Sequence, residues 1–320
     1  MPEELTLSDV QRARQRIASC VRRTPLVPSA TLSERLKTNV YVKLELFQKT
    51  GSFKVRGTFN KALSLAPEMN AKGLVAVSGG NHALAVAYTG RALDLTATLL
   101  MPETSPRTIV EAARGYGADV KFAATAAEAF AQVTELEREG WIYIHPFDDP
   151  VLMAGQGTLA LEILDDVPQV TDVVLSIGGG GMMAGVGTVF KTLKPSVRIW
   201  GVETQGADSM ARSLTAGKIV TLEAITSVAR SLGAQAPSQR TFATAQRVLE
   251  SVTVVSDKDA LEAGRFLLDR LKVLAEPAAS CTFAAAGRLQ GQFSAGKHVV
   301  LLLSGGNVSL DALTTPSLPS

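Results

Sequence analysis

Cysteine is nearly absent from this chain: Cys20 and Cys281 are the only two in 320 residues, with no CxxC spacing and no local histidine. A disulfide scaffold is excluded, and two reduced, partly buried thiols with no metal or nucleophilic role are expected. An excess of one charge is also missing. Lys plus Arg number 32 against 30 Asp plus Glu, and no basic cluster exceeds the pair Arg22-Arg23. A net charge of +2 leaves no electrostatic footprint for nucleic acid or an anionic membrane. A membrane span is lacking as well. The longest uncharged stretch, residues 173 to 190, is long enough for a short span but holds six glycines, which suits a strand, a loop and a helix start. The opening MPEELTLSDVQRARQRIASC begins acidic and has no apolar centre, so no export signal is expected and a cytoplasmic location is.

What remains is an ordinary globular composition, 46% hydrophobic and 19% charged. A single core stops growing near roughly 250 to 300 residues, so one large or two medium domains are expected. Short β-branched runs alternate with longer amphipathic stretches: LVAVS (74 to 78), TATLLM (96 to 101), ADVKF (118 to 122), WIYIH (141 to 145), DVVLSI (172 to 177), VRIWGVE (197 to 203), VTVVS (252 to 256) and HVVLLLS (298 to 304). Strands alternating with helices predict an α/β fold, and near-continuous apolar strands predict parallel sheets covered on both faces. There is no internal repeat and no low-complexity linker. The closing TTPSLPS reads as a frayed tail.

Three of the apolar runs end in glycine: Ser78-Gly79-Gly80-Asn81, Gly178-Gly179-Gly180-Gly181, and Ser304-Gly305-Gly306-Asn307. In open α/β sheets ligands bind beyond the carboxyl ends of strands, and glycine lets backbone N–H groups approach them. Isolated Gly-Gly pairs serve equally as tight turns. Four glycines running into MMAGVGTVFKTL, a helix start, point further, to an anion such as a phosphate held by unpaired N–H groups. The loop lacks the setting of a dinucleotide fingerprint and has no Gly-Lys-Ser/Thr closure of a P-loop. A second segment, KLELFQKTGSFKVRGTFNKAL, places Gly51 and Ser52 before Lys54 at a helix start. Lys54 is either a solvated first-turn lysine or an amine held as a Schiff base.

Together these segments resemble the pyridoxal-phosphate enzymes of the tryptophan-synthase-β fold, fold type II, and within it the serine/threonine dehydratase and serine racemase family. The resemblance runs from Arg23-Thr24-Pro25-Leu26 to Asn307. It rests on TGSFKVRG (50 to 57), SGGNHA (78 to 83), HPFDDPVLMAGQGT (145 to 158), GGGGMMAG (178 to 185), AEPAAS (275 to 280) and SGGN (304 to 307). It implies that Lys54 carries pyridoxal 5'-phosphate, that Phe53 packs beside its ring, and that Gly178, Gly179, Gly180, Gly181 and Met182 cradle its phosphate. It further implies Asn81 on the ring hydroxyl, Ser304 at the ring nitrogen and Glu276 near the ring. Ser52, Ser78, Asn81 and His82 resemble the group that grips the substrate carboxylate; for the serines, capping or turn chemistry accounts for them equally, and His82 equally fits a packed helix-start histidine. A neutral serine does not hold the ring nitrogen protonated, so the ring is a weaker electron sink and elimination of a β-substituent competes well.

The resemblance implies a dehydratase, an ammonia-lyase acting on a β-hydroxy amino acid such as threonine or serine. The alternatives are a bulkier or acidic substrate (phenylserine, 3-hydroxyaspartate), a β-replacement enzyme, and a non-catalytic cofactor-binding protein. It also implies a homodimer, a large domain from residues 1 to 67 plus 147 to 320, and a small mobile domain from 68 to 146. The absence of chain beyond the last strand argues against an appended feedback domain. Three positions depart from the family pattern. Gly79 stands where racemases carry a second serine, so lyase activity is expected to exceed racemase activity. In VETQGADSM, Glu203 and the Ala207 carbonyl are kept but Ser209 replaces an aspartate, which weakens a divalent-cation site, so a metal requirement is not predicted. In SVARSLGAQ, Arg230 and Ser231 replace an acid and a glycine; Arg230 is expected in a surface ion pair, with a role in shaping the substrate pocket as the alternative.

Overall fold

A computed structural model of the chain describes residues 4–69 and 72–314; from residue 315 on, the tail read as frayed lies outside the described residues. In chain order the elements are α1 (Leu7–Ile17), β1 (Leu26–Pro28), α2 (Ala30–Leu36), β2 (Asn39–Leu44), α3 (Val55–Met69), β3 (Gly73–Val77), α4 (Asn81–Ala92), β4 (Thr96–Pro102), α5 (Arg107–Gly115), β5 (Asp119–Ala123), α6 (Ala126–Arg138) and β6 (Trp141–Tyr143). They continue with α7 (Pro150–Asp166), β7 (Asp172–Ser176), α8 (Gly181–Leu193), β8 (Arg198–Thr204), α9 (Ser209–Ala216), α10 (Gln239–Val248), β9 (Ser251–Val255), α11 (Asp257–Leu271), α12 (Pro277–Arg288), β10 (His298–Leu303) and α13 (Leu310–Thr314).

The strands form two sheets, one of six strands in the order β1-β2-β10-β7-β8-β9 and one of four in the order β5-β4-β3-β6. Every pairing is parallel except β1 with β2. Alternation along the buried strands covers both faces. Val173, Leu175, Val300 and Leu302 join the core under α1, α7, α8 and α10. Val174, Val299, Leu301 and Leu303 join the core under α2, α11 and α12. Each such side chain contributes about 1.5 to 3 kcal/mol by leaving water, so the period of two fixes the register.

Capping residues place the helix starts. Thr6 with Asp9 and Ser256 with Asp259 form capping boxes on α1 and α11, and Asp149 receives two N–H groups ahead of Pro150 at the start of α7.

Three details differ from the sequence reading. ADVKF is an edge strand pairing only with β4, so it needs no second buried face and exposes Phe122. WIYIH is a strand through Tyr143, with Ile144 N still donating to the Val75 carbonyl at 2.9 Å, before His145 Nδ1 accepts from the N–H groups of Phe147 and Asp148 and turns the chain. The antiparallel pair β1–β2, joined through α2, was not read from the sequence; fully buried Lys43 interrupts the apolar run of β2, NVYVKL.

Lys43 belongs to a buried ion cluster at the root of α3. Arg56 donates to both oxygens of Glu45 and of Glu162, and to Thr158 Oγ1. Lys43 Nζ donates to Glu162 and to the Thr24 carbonyl. The cluster ties β2, α3 and α7 together immediately behind Lys54.

Candidate active site

The end of β10 holds the loop that carries Lys54. Phe53 N donates to the Ser304 carbonyl at 3.1 Å and Gly306 N to the Gly51 carbonyl at 2.9 Å, and Ser52 bridges Gly305. The loop is bent sharply. Thr50 has φ +61°, uncommon for a β-branched residue. Lys54 follows at the start of α3, where its Nζ donates to the Pro146 carbonyl at 2.8 Å and lies 5.3 Å from the Phe53 ring centre. Burial lowers its pKa to about 8, against the pull of the Glu276 charge, which raises it.

Lys54 opens on a cavity whose wall includes Phe53, Asn81, Gly178, Gly179, Gly180, Gly181, Met182, Glu276 and Ser304. Ten of the thirteen residues singled out in the sequence are thus brought to one cavity by two sheets. The other three, Ser52, Ser78 and His82, do not line it. Ser78 Oγ accepts from Gly80 N at 3.2 Å, ordinary turn chemistry. His82 is buried, donates through Nε2 to the Ile144 carbonyl at 2.7 Å, and is held neutral by burial and the nearby Lys54 charge, with its pKa lowered to about 3. Ser52 Oγ is buried and has no hydrogen-bond partner.

The glycine loop between β7 and α8 fits a phosphate. Gly180 has φ +91° and caps α8 without a side-chain hydrogen bond, so the first N–H groups of the helix stay free. A Cβ on Gly179 would lie 2.1 Å from the Phe147 ring. Only a loop without side chains lies this close to Phe147, and all four glycines line the cavity. Opposite, Ser304 Oγ lies 3.4 Å from Ser176 Oγ, so the wall at the end of β10 is neutral and hydroxylic. An anion cradle, a lysine of lowered pKa and a neutral serine together suit pyridoxal phosphate; Lys54, the glycine loop and Ser304 would hold it.

A hydrogen-bond network closes one side. Asn81 Nδ2 donates to Glu276 Oε1 at 2.8 Å and to Ser231 Oγ at 3.3 Å. Asn307 Nδ2 donates to Asn81 Oδ1 and to the Thr50 carbonyl, each at 2.7 Å. Burial raises the Glu276 carboxyl to about 7, although donors from Asn81, Ser231 and Asn307 oppose the rise. Asn307 and Ser231 were not assigned from sequence, nor were the lining residues Phe147, Gln156 and Ser176. Asn307 had a legible signal, since it ends SGGN as Asn81 does. Arg230 is exposed, and no ion pair of the described residues involves it, contrary to the surface pair expected.

The position read as a weakened cation site has a different local use. Glu203 is buried, and its two oxygens accept from Met210 N at 3.0 Å and Ala211 N at 2.7 Å. The carboxylate thus caps α9, and burial raises its pKa to about 8.

Comparison with known proteins agrees with this geometry. The family model described as pyridoxal-phosphate dependent enzyme matches residues 17–305. The catabolic L-threonine dehydratase TdcB of Staphylococcus aureus strain N315 is 39% identical over 311 residues, covering 96% of this chain and 90% of the relative. Maize serine racemase superposes with a TM-score of 0.92 at 32% identity, covering 97% of this chain and 96% of that one. The serine racemase of Dictyostelium discoideum gives 0.90 at 32% identity, covering 96% and 99%. The chain therefore belongs to the pyridoxal-phosphate-dependent enzymes of fold type II.

Proposed function

We propose that this enzyme is a dehydratase, an ammonia-lyase that converts a β-hydroxy L-amino acid such as threonine or serine to a 2-oxo acid and ammonia by α,β-elimination. The observation that carries the reading is the number of usable bases. Among the described residues that line the cavity only Lys54 and Glu276 have ionising side chains, Glu276 is already engaged by Asn81 and Ser231, and the hydroxyls of Ser176 and Ser304 lie against each other at 3.4 Å. Elimination needs one base on one face of the substrate; inversion at Cα needs a second acid on the other. Gly79 offers none, and a Cβ there would lie 2.4 Å from Ser105 Oγ. The dehydratase relative at 39% identity supports the same direction.

In this reading the Lys54 amine takes the Cα proton, and its lowered pKa of about 8 keeps a usable neutral fraction near neutrality. Bound pyridoxal phosphate supplies the sink for the electron pair left on Cα. Gly178, Gly179, Gly180, Gly181 and Met182 would hold its phosphate, Asn81 its ring hydroxyl, and Ser304 would stand at its ring nitrogen, all of them on the wall of the same cavity. The start of α4 has no side-chain cap at Gly80, so its free N–H groups receive the substrate carboxylate, with Ser78, Asn81 and His82 on that turn and Ser52 on the Lys54 loop. Cα–H and Cβ–O break, Cα=Cβ forms, and one water is lost. The released enamine tautomerises to an imine and hydrolyses to the 2-oxo acid and ammonia.

The same reading divides the chain at the cavity. Residues 68–146 form a small domain around the four-stranded sheet and close on the substrate; residues 1–67 and 147–320 form the large domain. We assign a homodimer in the cytoplasm; among the described residues no helix is long and apolar enough to cross a membrane.

Borohydride reduction followed by peptide mapping tests the attachment, which is expected on Lys54; an unmodified Lys54 ends the reading. A panel of L-threonine, L-serine, phenylserine and 3-hydroxyaspartate, read by 2-oxo acid release, identifies the substrate. Incorporation of added sulfide or indole would favour β-replacement, and no turnover of any member a binding protein. Chiral chromatography is expected to find L-to-D serine conversion slower than pyruvate release.

A further inference from the structure

We propose that Gln156 is the residue that receives the β-hydroxyl of the substrate. Gln156 lies on α7, lines the cavity, and is fully buried, yet neither its Nε2 nor its Oε1 has a hydrogen-bond partner. It is the one lining residue, among the described residues, with a buried polar atom left unpaired. A buried carboxamide without partners is costly to keep desolvated, so its partner is expected to arrive from outside the chain.

The backbone around it is arranged to place it there. Gly155 meets α3 so closely that a Cβ would lie 2.4 Å from the Arg56 carbonyl. On the other side of Gln156, Gly157 meets Gly185 of α8, where a Cβ on Gly185 would lie 2.6 Å from Gly157 N. Gly57 leaves room for the amide itself, since a Cβ there would lie 2.5 Å from Gln156 Nε2. Two close crossings therefore set this side chain between the helix that starts after Lys54 and the helix that starts at the glycine loop.

The chemical class of the partner follows from what else is provided. This step rests on the elimination proposed above. A β-hydroxy amino acid brings three polar groups; the amine meets the Lys54 side of the cavity and the carboxylate the start of α4. The β-hydroxyl is left, and it both donates and accepts, as a carboxamide does. Leu152, Met182 and Met183 line the same cavity with apolar groups, which strengthens a hydrogen bond there as negative charge builds on the departing oxygen. Gln156 lends a hydrogen bond and no proton. The oxygen leaves as water, the proton lifted from Cα by Lys54 being returned to it, so the step balances as loss of one water.

The test is Gln156→Met in the cofactor-loaded enzyme, with L-serine and β-chloro-L-alanine as parallel substrates. Chloride departs without a hydrogen-bonded hydroxyl. The variant is expected to lose about tenfold or more in kcat with serine, the value of one hydrogen bond to developing charge, while its rate with β-chloroalanine stays within about twofold. The apoprotein is expected to melt no lower than the wild type, because no intramolecular bond is removed. Equal losses with both substrates, or an apoprotein that melts several degrees lower, overturn the assignment. Failure of the wild type with β-chloroalanine and with every member of the β-hydroxy amino acid panel would instead end the elimination reading, and this one with it.

Discussion

Arg56 offers a quantitative test of how the base of the site is held. Its guanidinium reaches Glu45 and Glu162 with four hydrogen bonds of 2.7 to 2.9 Å, and all three side chains are at least nine-tenths buried. Arg56→Met strands Glu45 on Thr24 and leaves Glu162 with Lys43 alone. Removing one member of a buried ion cluster costs about 3 to 5 kcal/mol, because the remaining charges stay desolvated. At about 2 to 4 °C per kcal/mol for large domains, the midpoint should fall by roughly 6 to 20 °C. Arg56→Lys keeps the charge but not the fork, so it should recover only part of the loss. Thermal or urea unfolding of the apoprotein measures each variant. The double variant Arg56→Met with Glu162→Gln should lose less than the two single losses added, since the second change removes a stranded charge. A midpoint within about 2 °C of wild type for Arg56→Met would refute the reasoning.

Glu276→Gln probes the coupling between the two titrating groups of the cavity. Capture of pyridoxal phosphate by the apoprotein needs the neutral Lys54 amine, so its rate should rise with pH through about 8; losing the Glu276 charge, which raises the Lys54 pKa, should move that midpoint down. An unmoved midpoint would count against the contact. The same carboxyl titrates near 7 in the fold instead of its ordinary 4.5, so its stabilising effect is complete below 4.5 and lost as pH rises through about 7. Apoprotein stability should therefore fall across that window by on the order of 1 kcal/mol per pH unit more in wild type than in the variant. Gly179→Ala brings a Cβ to 2.1 Å from the Phe147 ring and should weaken cofactor binding about tenfold or more; an unchanged Kd in a cofactor titration would show that the loop is not the phosphate cradle.

What the sequence made legible was whatever a local pattern can encode. The runs ending at Ser78, Ser176 and Ser304 announced strands because buried parallel strands need apolar side chains on both faces. Their glycines pointed to a shared pocket, and of them Gly178, Gly179, Gly180 and Gly181 line the cavity. The pairing of β1 with β2 was hidden by Lys43, whose burial depends on Glu162, 119 positions away. Gln156 was hidden for a related reason, being an ordinary polar residue until tertiary contacts put it on the cavity wall. Ser231 was visible as a departure from the family pattern, but its bond to Asn81 was not. Arg230 failed in the opposite direction, since its exposed position supplies no carboxylate for the pair that local reasoning assumed.

Asn307 shows how two of the glycine loops and the Lys54 loop act as one device. Its Nδ2 spends both protons, one on the Thr50 carbonyl behind Lys54 and one on Asn81 Oδ1. With its oxygen occupied, the Asn81 carboxamide can only present Nδ2 towards Glu276 and the cavity. The strained loop of Thr50, the end of β10 and the start of α4 are thereby held by one side chain. Asn307→Asp keeps size and shape but removes both donors, and it sets a carboxylate against two oxygens. The Asn81 amide should then turn over to donate to the new acceptor, which withdraws its hydrogen bond from Glu276. Because Asn81 faces the ring hydroxyl in the proposed reading, the absorbance of the loaded variant should shift along with kcat. Asn307→Ser, which retains one donor, should shift it less. A variant with normal absorbance and only a lowered melting temperature would reduce Asn307 to a structural clamp on the Lys54 loop.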